Sequence, residues 1–257
     1  QKPVVSHLGW GVMIWAVAAA AGAQADPPLR FEVSFPSALR SEAITGRVYV
    51  MISHTNEKEP RLQIGRTGVP FFGRDIEALP ADTVALIEDS DLGSPVASLR
   101  EIPPGDYYVQ GFINVYSKFE RSDGHVVWMH DDQWEGQHFE RSPGNLYSDV
   151  VRPHLDPRVG YSIPLVAKNV IPPIETPPDT AWVKRFRFQS KMLSEFWGRP
   201  IYLGATVLLP RDYDRETMYY PVVYYQGHFS TAAPMRFEEG GDFHREWLKD
   251  EFPRMIV

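Results

Sequence analysis

Apolar and polar side chains alternate along several short stretches in the first two thirds of the chain. The alternation runs from Leu29 to Phe35, returns at Val48–Ile52 and Thr83–Ile87, and is longest in Tyr107–Tyr116. A period of two is typical of strands that bury one face. Clusters of Pro, Gly, Asp, Asn and Ser separate these stretches and are typical of turns. Short strands at this spacing predict an all-β sandwich over residues 26–170.

The pattern changes after a proline-rich stretch. Residues 164–178 contain five prolines, and proline at this density gives a stiff, extended connection. We therefore predict a linker over residues 171–181. Three strand patterns, one helix pattern and the start of a last strand follow it: Trp182–Gln189, Ile201–Leu209, Tyr220–Tyr225, Asp242–Glu251 and Met255 onward. This order predicts the first strands and helix of an α/β domain over residues 182–257.

Two elements of this second part carry more detailed expectations. Tyr220–Tyr225 is apolar on both faces, which is typical of a central strand covered by helices. In the predicted helix, Phe243, Trp247 and Leu248 share one side, and Asp242 is expected to cap its start.

The first 25 residues have the order of a secretory signal peptide. No charged residue lies between Pro3 and Ala25, and the apolar run Leu8–Ala21 follows Lys2 and precedes small residues. The alternative is an uncleaved membrane anchor, but the run is shorter than the roughly 20 residues that a span needs. We therefore predict a signal peptide at residues 1–25, a secreted or periplasmic protein, and no stable membrane anchor.

Composition excludes several classes of function. The 257 residues include 26 Lys and Arg against 33 Asp and Glu, a net charge of −7, so we expect no nucleic-acid partner. The absence of cysteine excludes disulfides, cysteine-ligated zinc, iron–sulfur clusters and thiol nucleophiles. No phosphate-binding glycine motif is present, and we expect no cofactor. The oligomeric state stays open.

One short segment resembles a known sandwich corner. Leu99–Gln110, LREIPPGDYYVQ, is similar to the strand-turn-strand corner of immunoglobulin-like domains. Gly105 permits the turn, and an aromatic residue just after it can pin the corner to the backbone. The resemblance implies an immunoglobulin-like fold for the sandwich and no particular activity.

A longer segment, Ser190–Ser230, resembles the entrance to the esterase branch of the α/β-hydrolase family, which includes esterase D and enterochelin esterase. The matching features are Leu209-Pro210 followed by Asp212-Tyr213-Asp214, the apolar strand YPVVYY, and a glycine turn after it. The resemblance extends from Lys184 to Val257. It implies an exported serine-type carboxylic-ester hydrolase acting on a small-molecule or glycan ester.

The glycine turn is the part of this segment with a chemical role. In α/β-hydrolases the loop after this strand gives a backbone N–H to the oxyanion hole, so the candidates here are Gly227, His228 and Phe229. Many relatives have His-Gly where this chain has Gly-His, which leaves the donating residue open. The alternative is an ordinary tight turn between strand and loop.

A serine hydrolase also needs a nucleophile, an acid and a histidine. The sequence contains no G-x-S-x-G elbow; its nearest match, Gly160–Pro164, lacks the second glycine, so we interpret Ser162 as a strand residue. We expect all three residues to lie beyond Val257 and therefore assign no catalytic residue here. The chain begins with Gln1 and ends on a strand-like segment. We interpret it as an inactive fragment, the alternative being a natural terminus on an edge strand.

A different class of function would rest on the aromatic residues of the sandwich. Exposed side chains of Trp128 and Trp134 would stack on sugars, so the alternative function is a non-catalytic glycan- or polymer-binding module. The histidines and aspartates within His125–His138 fit no zinc spacing, and Asp89–Gly93 lacks the later ligand of a calcium loop. We therefore expect polar loops there, and no metal.

Overall fold

The computed structural model describes residues 27–133, 136–215, 217–226 and 231–257. The predicted signal peptide at residues 1–25 lies outside them. Within these ranges, no helix has the length and apolar character needed to cross a bilayer.

Strands dominate the described residues. In chain order they are β1 Leu29–Ser34, β2 Ile44–Ser53, β3 Phe71–Leu79, β4 Ala85–Glu88, β5 Leu92–Ser94, β6 Gly105–Asp106, β7 Tyr108–Glu120, β8 Val126–His130, β9 Leu146–Tyr147, β10 His154–Leu155, β11 Tyr161–Val166, β12 Asn169–Val170, β13 Val183–Gln189 and β14 Tyr202–Leu208. The α-helices are α1 Lys191–Trp197 and α2 Asp242–Trp247. We call residues 27–170 the first unit and residues 182–257 the second unit.

The first unit contains two main sheets around one core. The larger has the order β12-β9-β7-β2-β3-β5, and the smaller has the order β11-β1-β4. Strand β8 pairs with the C-terminal part of β7, from Tyr116 to Glu120. Strand β1 is parallel to β11 and antiparallel to β4. Phe31, Val50, Ile87 and Leu165 bring both sheets into one buried cluster. The prediction of an all-β first unit is confirmed, and the packing is consistent with a β-sandwich.

The corner at Gly105 is pinned as its sequence predicts. The Tyr107 hydroxyl donates a hydrogen bond to the carbonyl oxygen of Pro103 over 2.7 Å, four residues upstream. The Tyr107 side chain is otherwise buried in the core between the sheets. One residue therefore fixes both the turn before β7 and the packing beneath it.

The outer face of the larger sheet carries a second, smaller aromatic cluster. The Tyr49 ring stacks on the Phe139 ring at 5.0 Å, beside Met51 and Phe112. Burial raises the pKa of the Tyr49 hydroxyl from 10.0 to about 12, against the opposing effect of the nearby Arg47. The protonated hydroxyl is the form that this cluster favours.

Alkaline pH is therefore expected to weaken the folded state through Tyr49. Between pH 10 and about 12 the folded chain keeps a proton that the unfolded chain has released, so this contribution to stability is present below pH 10 and lost as the pH rises through 12. Urea unfolding at pH 9 and pH 11.5 measures the loss. The Tyr49→Phe variant should lose less stability over this interval, and an equal loss in both proteins would contradict the assignment.

The second unit begins after an irregular connection. Residues 171–181 contain no helix or strand, as the proline content predicts. Strands β13 and β14 then pair antiparallel from Val183↔Leu208 to Gln189↔Tyr202. Helix α1 connects them and was not predicted. Ser190 caps its start by accepting a hydrogen bond from the Leu193 N–H at 3.3 Å, and Gly198 ends it in the left-handed conformation.

A parallel contact with a helical crossover completes the second unit. Val222 bridges Ile256 in parallel, and helix α2 lies between them in the chain. Val257 exchanges backbone hydrogen bonds with Leu208 at 2.8 and 3.1 Å, so residues 256–257 lie between β14 and residue 222. The buried Trp247 of α2 donates from its indole N–H to the Leu209 carbonyl at 2.9 Å.

Two details of the second unit differ from the sequence-based expectation. Tyr220–Tyr225 forms one bridge rather than a covered strand, since Ile256 is the one described residue that makes backbone hydrogen bonds with it. Tyr224 is 93% exposed. Helix α2 ends at Trp247 rather than Glu251. Its N-cap is Gly241 with no side-chain cap, because Asp242 is already the first helical residue and pairs with Arg245.

Candidate functional site

A cavity of about 750 Å³ lies where the strands of the second unit separate. Its walls are Gly204–Val207 of β14 on one side and Val222–Gln226 on the other, and Ile256–Val257 and Ala232–Arg236 close it. We call it the sheet-end cavity. Its volume is within the usual range for small-molecule sites.

The sheet-end cavity reaches the last described residue before the predicted oxyanion turn. Val222 and Ile256 run parallel, and the cavity extends toward Gln226, the carboxyl end of its segment. The predicted oxyanion residues Gly227, His228 and Phe229 follow Gln226 directly, and they lie outside the described residues.

Arg185 of β13 binds the backbone of Thr231, two positions after Phe229 in the sequence. Its guanidinium donates from Nε and Nη2 to the Thr231 carbonyl at 3.2 and 3.0 Å, and from Nη1 to the Pro178 carbonyl at 3.1 Å. The Asp179 carboxylate accepts from the Arg185 backbone N–H at 2.8 Å. One side chain thus ties Thr231 to both β13 and the linker.

A second cavity of about 410 Å³ lies between the two units, and we call it the inter-unit cleft. The first unit supplies Asp131, Asp132 and Gln133, which follow β8, and the second supplies Arg185 and Arg187 of β13. Asp132 accepts from the Gln137 backbone N–H at 2.6 Å, and Gln133 donates to the Pro143 carbonyl at 2.9 Å. These bonds fix the side chains of Asp132 and Gln133. We call the side formed by Asp131, Asp132 and Gln133 the acidic wall of the cleft.

The hairpin of β7 and β8 brings the two units together. At its tip, Ser122 donates from its backbone N–H and from its hydroxyl to the Phe196 carbonyl, at 3.0 and 2.5 Å. The Phe119 ring lies 5.9 Å from the Trp197 ring and 5.1 Å from the Arg199 guanidinium. The strand that crosses the first core therefore also contacts the end of α1.

The structure describes one of the two tryptophans that are predicted to contact a glycan. Trp128 lies on β8 opposite Lys118 and is 48% exposed. Trp134 lies outside the described residues, so the predicted pair of aromatic rings stays a prediction.

The polar residues that the sequence offered as ligands or nucleophile have other partners. His130 Nδ1 lies 3.1 Å from Asn114 Oδ1, and His138 Nδ1 lies 3.1 Å from Glu140 Oε1. In the part of the chain that the structure describes, no group of three or more His, Asp or Glu could hold a metal ion. Ser162 lies in β11, where it donates to Glu32 at 2.5 Å and accepts from Arg30 at 2.9 Å, which confirms its interpretation as a strand residue.

The sequence did not indicate Arg185 or Arg187 as site residues, and it offered Asp131 and Asp132 only as metal ligands, an interpretation that the spacing disfavoured. The two arginines alternate with apolar residues along β13 and look like the solvent face of an ordinary strand. Their importance comes from the approach of a loop more than 50 positions away, which no local pattern records.

Comparison with known proteins gives no match to a family model, to a curated protein or to a solved structure.

Proposed function

We propose that this chain forms part of a serine-type ester hydrolase of the α/β-hydrolase kind. The observation that carries the proposal is the parallel contact between Val222 and Ile256 with helix α2 on the crossover. It directs the carboxyl end of the YPVVYY segment, whose sequence resembles the family, toward the sheet-end cavity. The α/β arrangement of the second unit and an immunoglobulin-like topology for the first belong to the same proposal.

The chemical role assigned to this chain is stabilisation of negative charge. When a serine attacks an ester carbonyl, the carbonyl oxygen becomes an oxyanion that needs fixed hydrogen-bond donors. A backbone N–H of Gly227, His228 or Phe229 would be one donor. Val222, Val223 and Ile256 line the cavity with apolar side chains, and a bound substrate that excludes water from them would strengthen such a bond.

We assign the nucleophile, the acid and the histidine to residues beyond Val257, because residues 1–257 contain no G-x-S-x-G elbow. The histidine would take the serine proton during attack and return it to the leaving alcohol. The 257 residues alone are then expected to be inactive, and the substrate is a small-molecule or glycan ester.

One observation favours the second function, a glycan-binding module without catalysis. Trp128 exposes about half of its surface on a strand of the first unit, as an aromatic platform for a sugar ring requires. Binding of a glycan in this way requires no nucleophile, acid or histidine.

Covalent labelling of the active serine separates the two functions. The product of the complete reading frame is expected to react with a fluorophosphonate probe and to hydrolyse p-nitrophenyl acetate, whereas the 257-residue chain does neither. Heat-denatured complete protein is the control for nonspecific labelling. Turnover by the 257-residue chain, or a complete protein that neither reacts nor hydrolyses, would overturn the proposal.

A further inference from the structure

The inter-unit cleft has walls of opposite charge. Asp131 and Asp132 line one side and Arg185 and Arg187 the other, so the acidic and basic side chains balance in number. A charged ligand would be attracted to one wall and repelled by the other. A neutral ligand whose groups both donate and accept hydrogen bonds suits both walls, since carboxylates accept and guanidinium groups donate.

The cleft also has the apolar and hydroxyl surface that such a ligand needs. Ile174, Phe186 and Pro173 lie among the charged residues, and Thr206 contributes a hydroxyl. A sugar ring combines hydroxyl groups at its edge with an apolar C–H face, which packs against aromatic and aliphatic side chains. The volume of about 410 Å³ lies within the range of small-molecule sites.

The basic wall has donor capacity available for a ligand. Among the described residues the Arg187 guanidinium has no hydrogen bond or ion pair and lies 5.7 Å from the Tyr202 ring centre. Arg185, by contrast, is fixed by the carbonyls of Thr231 and Pro178. Arg187 is therefore the arginine whose guanidinium can bind a ligand in the cleft, whereas Arg185 holds its position through the two carbonyls.

The inter-unit cleft is continuous with the proposed reaction site. Phe186 and the β14 residues Gly204–Thr206 line both this cleft and the sheet-end cavity. A substrate with its ester in the sheet-end cavity would extend past Phe186 into the cleft. The first unit would then contribute to substrate recognition through Asp131 and its neighbours.

We propose that the inter-unit cleft binds the neutral saccharide part of a glycan ester, with Arg187 and Asp131 as opposing contacts. The proposal rests on the proposed hydrolase function and adds its substrate class and a specificity site. It differs from the alternative module because the sugar lies between the units and not on Trp128.

The test is an NMR titration of the isotope-labelled 257-residue chain with cellobiose, xylobiose and maltose, and with glucuronic acid as the anionic comparison. At least one neutral disaccharide is expected to shift the amide signals of Ala205 and Thr206. Arg187→Ala and Asp131→Ala should each weaken the affinity about tenfold or more, as expected when a hydrogen bond to a charged group is lost. Arg187→Gln provides a second, milder substitution of the same exposed side chain.

Two matched variants decide where the sugar lies. Arg66→Ala removes an exposed arginine outside the cleft, and Trp128→Ala removes the aromatic platform of the alternative module; neither should change the affinity. The proposal is overturned if no disaccharide shifts these amides, if glucuronic acid binds more tightly, or if Trp128→Ala abolishes binding while Arg187→Ala does not. Because the titration reads binding alone, failure of the serine-labelling experiment leaves its result intact.

Discussion

Replacing Phe31 by alanine is expected to lower the free energy of unfolding of the first unit by about 3–5 kcal/mol. Phe31 lies on β1, the central strand of the smaller sheet, and its side chain is completely buried. Its ring lies 5.3 Å from the Tyr161 ring of the parallel neighbour β11. The truncation removes contacts between the two sheets and leaves a cavity that neighbouring strands cannot fill without losing their register.

The same substitution at Phe188 is the matched control. Phe188 lies on β13 and is 49% exposed, so Phe188→Ala is expected to change stability by about 0.5 kcal/mol or less. Urea unfolding followed by tryptophan fluorescence and by circular dichroism measures both variants. Equal losses at the two positions would contradict the assignment of the core to the space between the two sheets of the first unit.

The strands of the first unit could be predicted because each carries its own signal. In β1 the alternation of apolar and polar residues matches the alternation of buried and half-buried positions along the strand. The corner before β7 is equally local, since Gly105, Tyr107 and Pro103 lie within five positions. That β1 lies parallel to β11 depends on contacts between residues more than 100 positions apart, such as Leu29 and Tyr161, and no local pattern encodes them.

The second unit shows what local patterns miss. Helix α1 spans seven residues, too few for a clear helical period, although Ser190 before it and Gly198 after it are recognisable capping residues. Tyr220–Tyr225 has the composition of a central strand, but a strand forms only where neighbouring strands reach its backbone, and within the described ranges Ile256 alone does so. Local composition therefore overestimated the regular structure of this segment.

The two cavities also differ in how much of each could be predicted from the sequence. The sequence predicted the turn Gly227–Phe229 because a motif precedes it, and that turn lies outside the described residues. The inter-unit cleft has no motif, because Asp131 and Arg187, which line it, lie 56 positions apart in the sequence. Recognition residues of this kind follow from tertiary structure and not from local spacing.

Removing one backbone N–H from the oxyanion turn is expected to have the largest effect on catalysis. Proline lacks an amide hydrogen, so Gly227→Pro, His228→Pro and Phe229→Pro remove the three donors in turn, in the complete protein. Loss of one oxyanion donor typically lowers kcat about 10²–10³-fold. The bond forms fully only in the transition state, so KM should change much less.

Alanine at the same three positions is the control for this series. Gly227→Ala, His228→Ala and Phe229→Ala alter the side chain and keep the N–H. At a position that donates to the oxyanion, kcat should therefore be largely retained in the alanine variant and lowered in the proline variant. Circular dichroism and thermal unfolding of each pair verify that both variants remain folded. A donor position is thereby distinguished from a position that only shapes the turn.

The most direct test of the hydrolase assignment is the kcat of these six variants of the complete protein on p-nitrophenyl acetate. We predict that one proline variant loses about 10²–10³-fold in kcat while its alanine partner stays within about tenfold of the unsubstituted protein. If all three proline variants remain folded and retain full kcat, residues 227–229 donate nothing to the oxyanion and the role proposed for this chain is wrong.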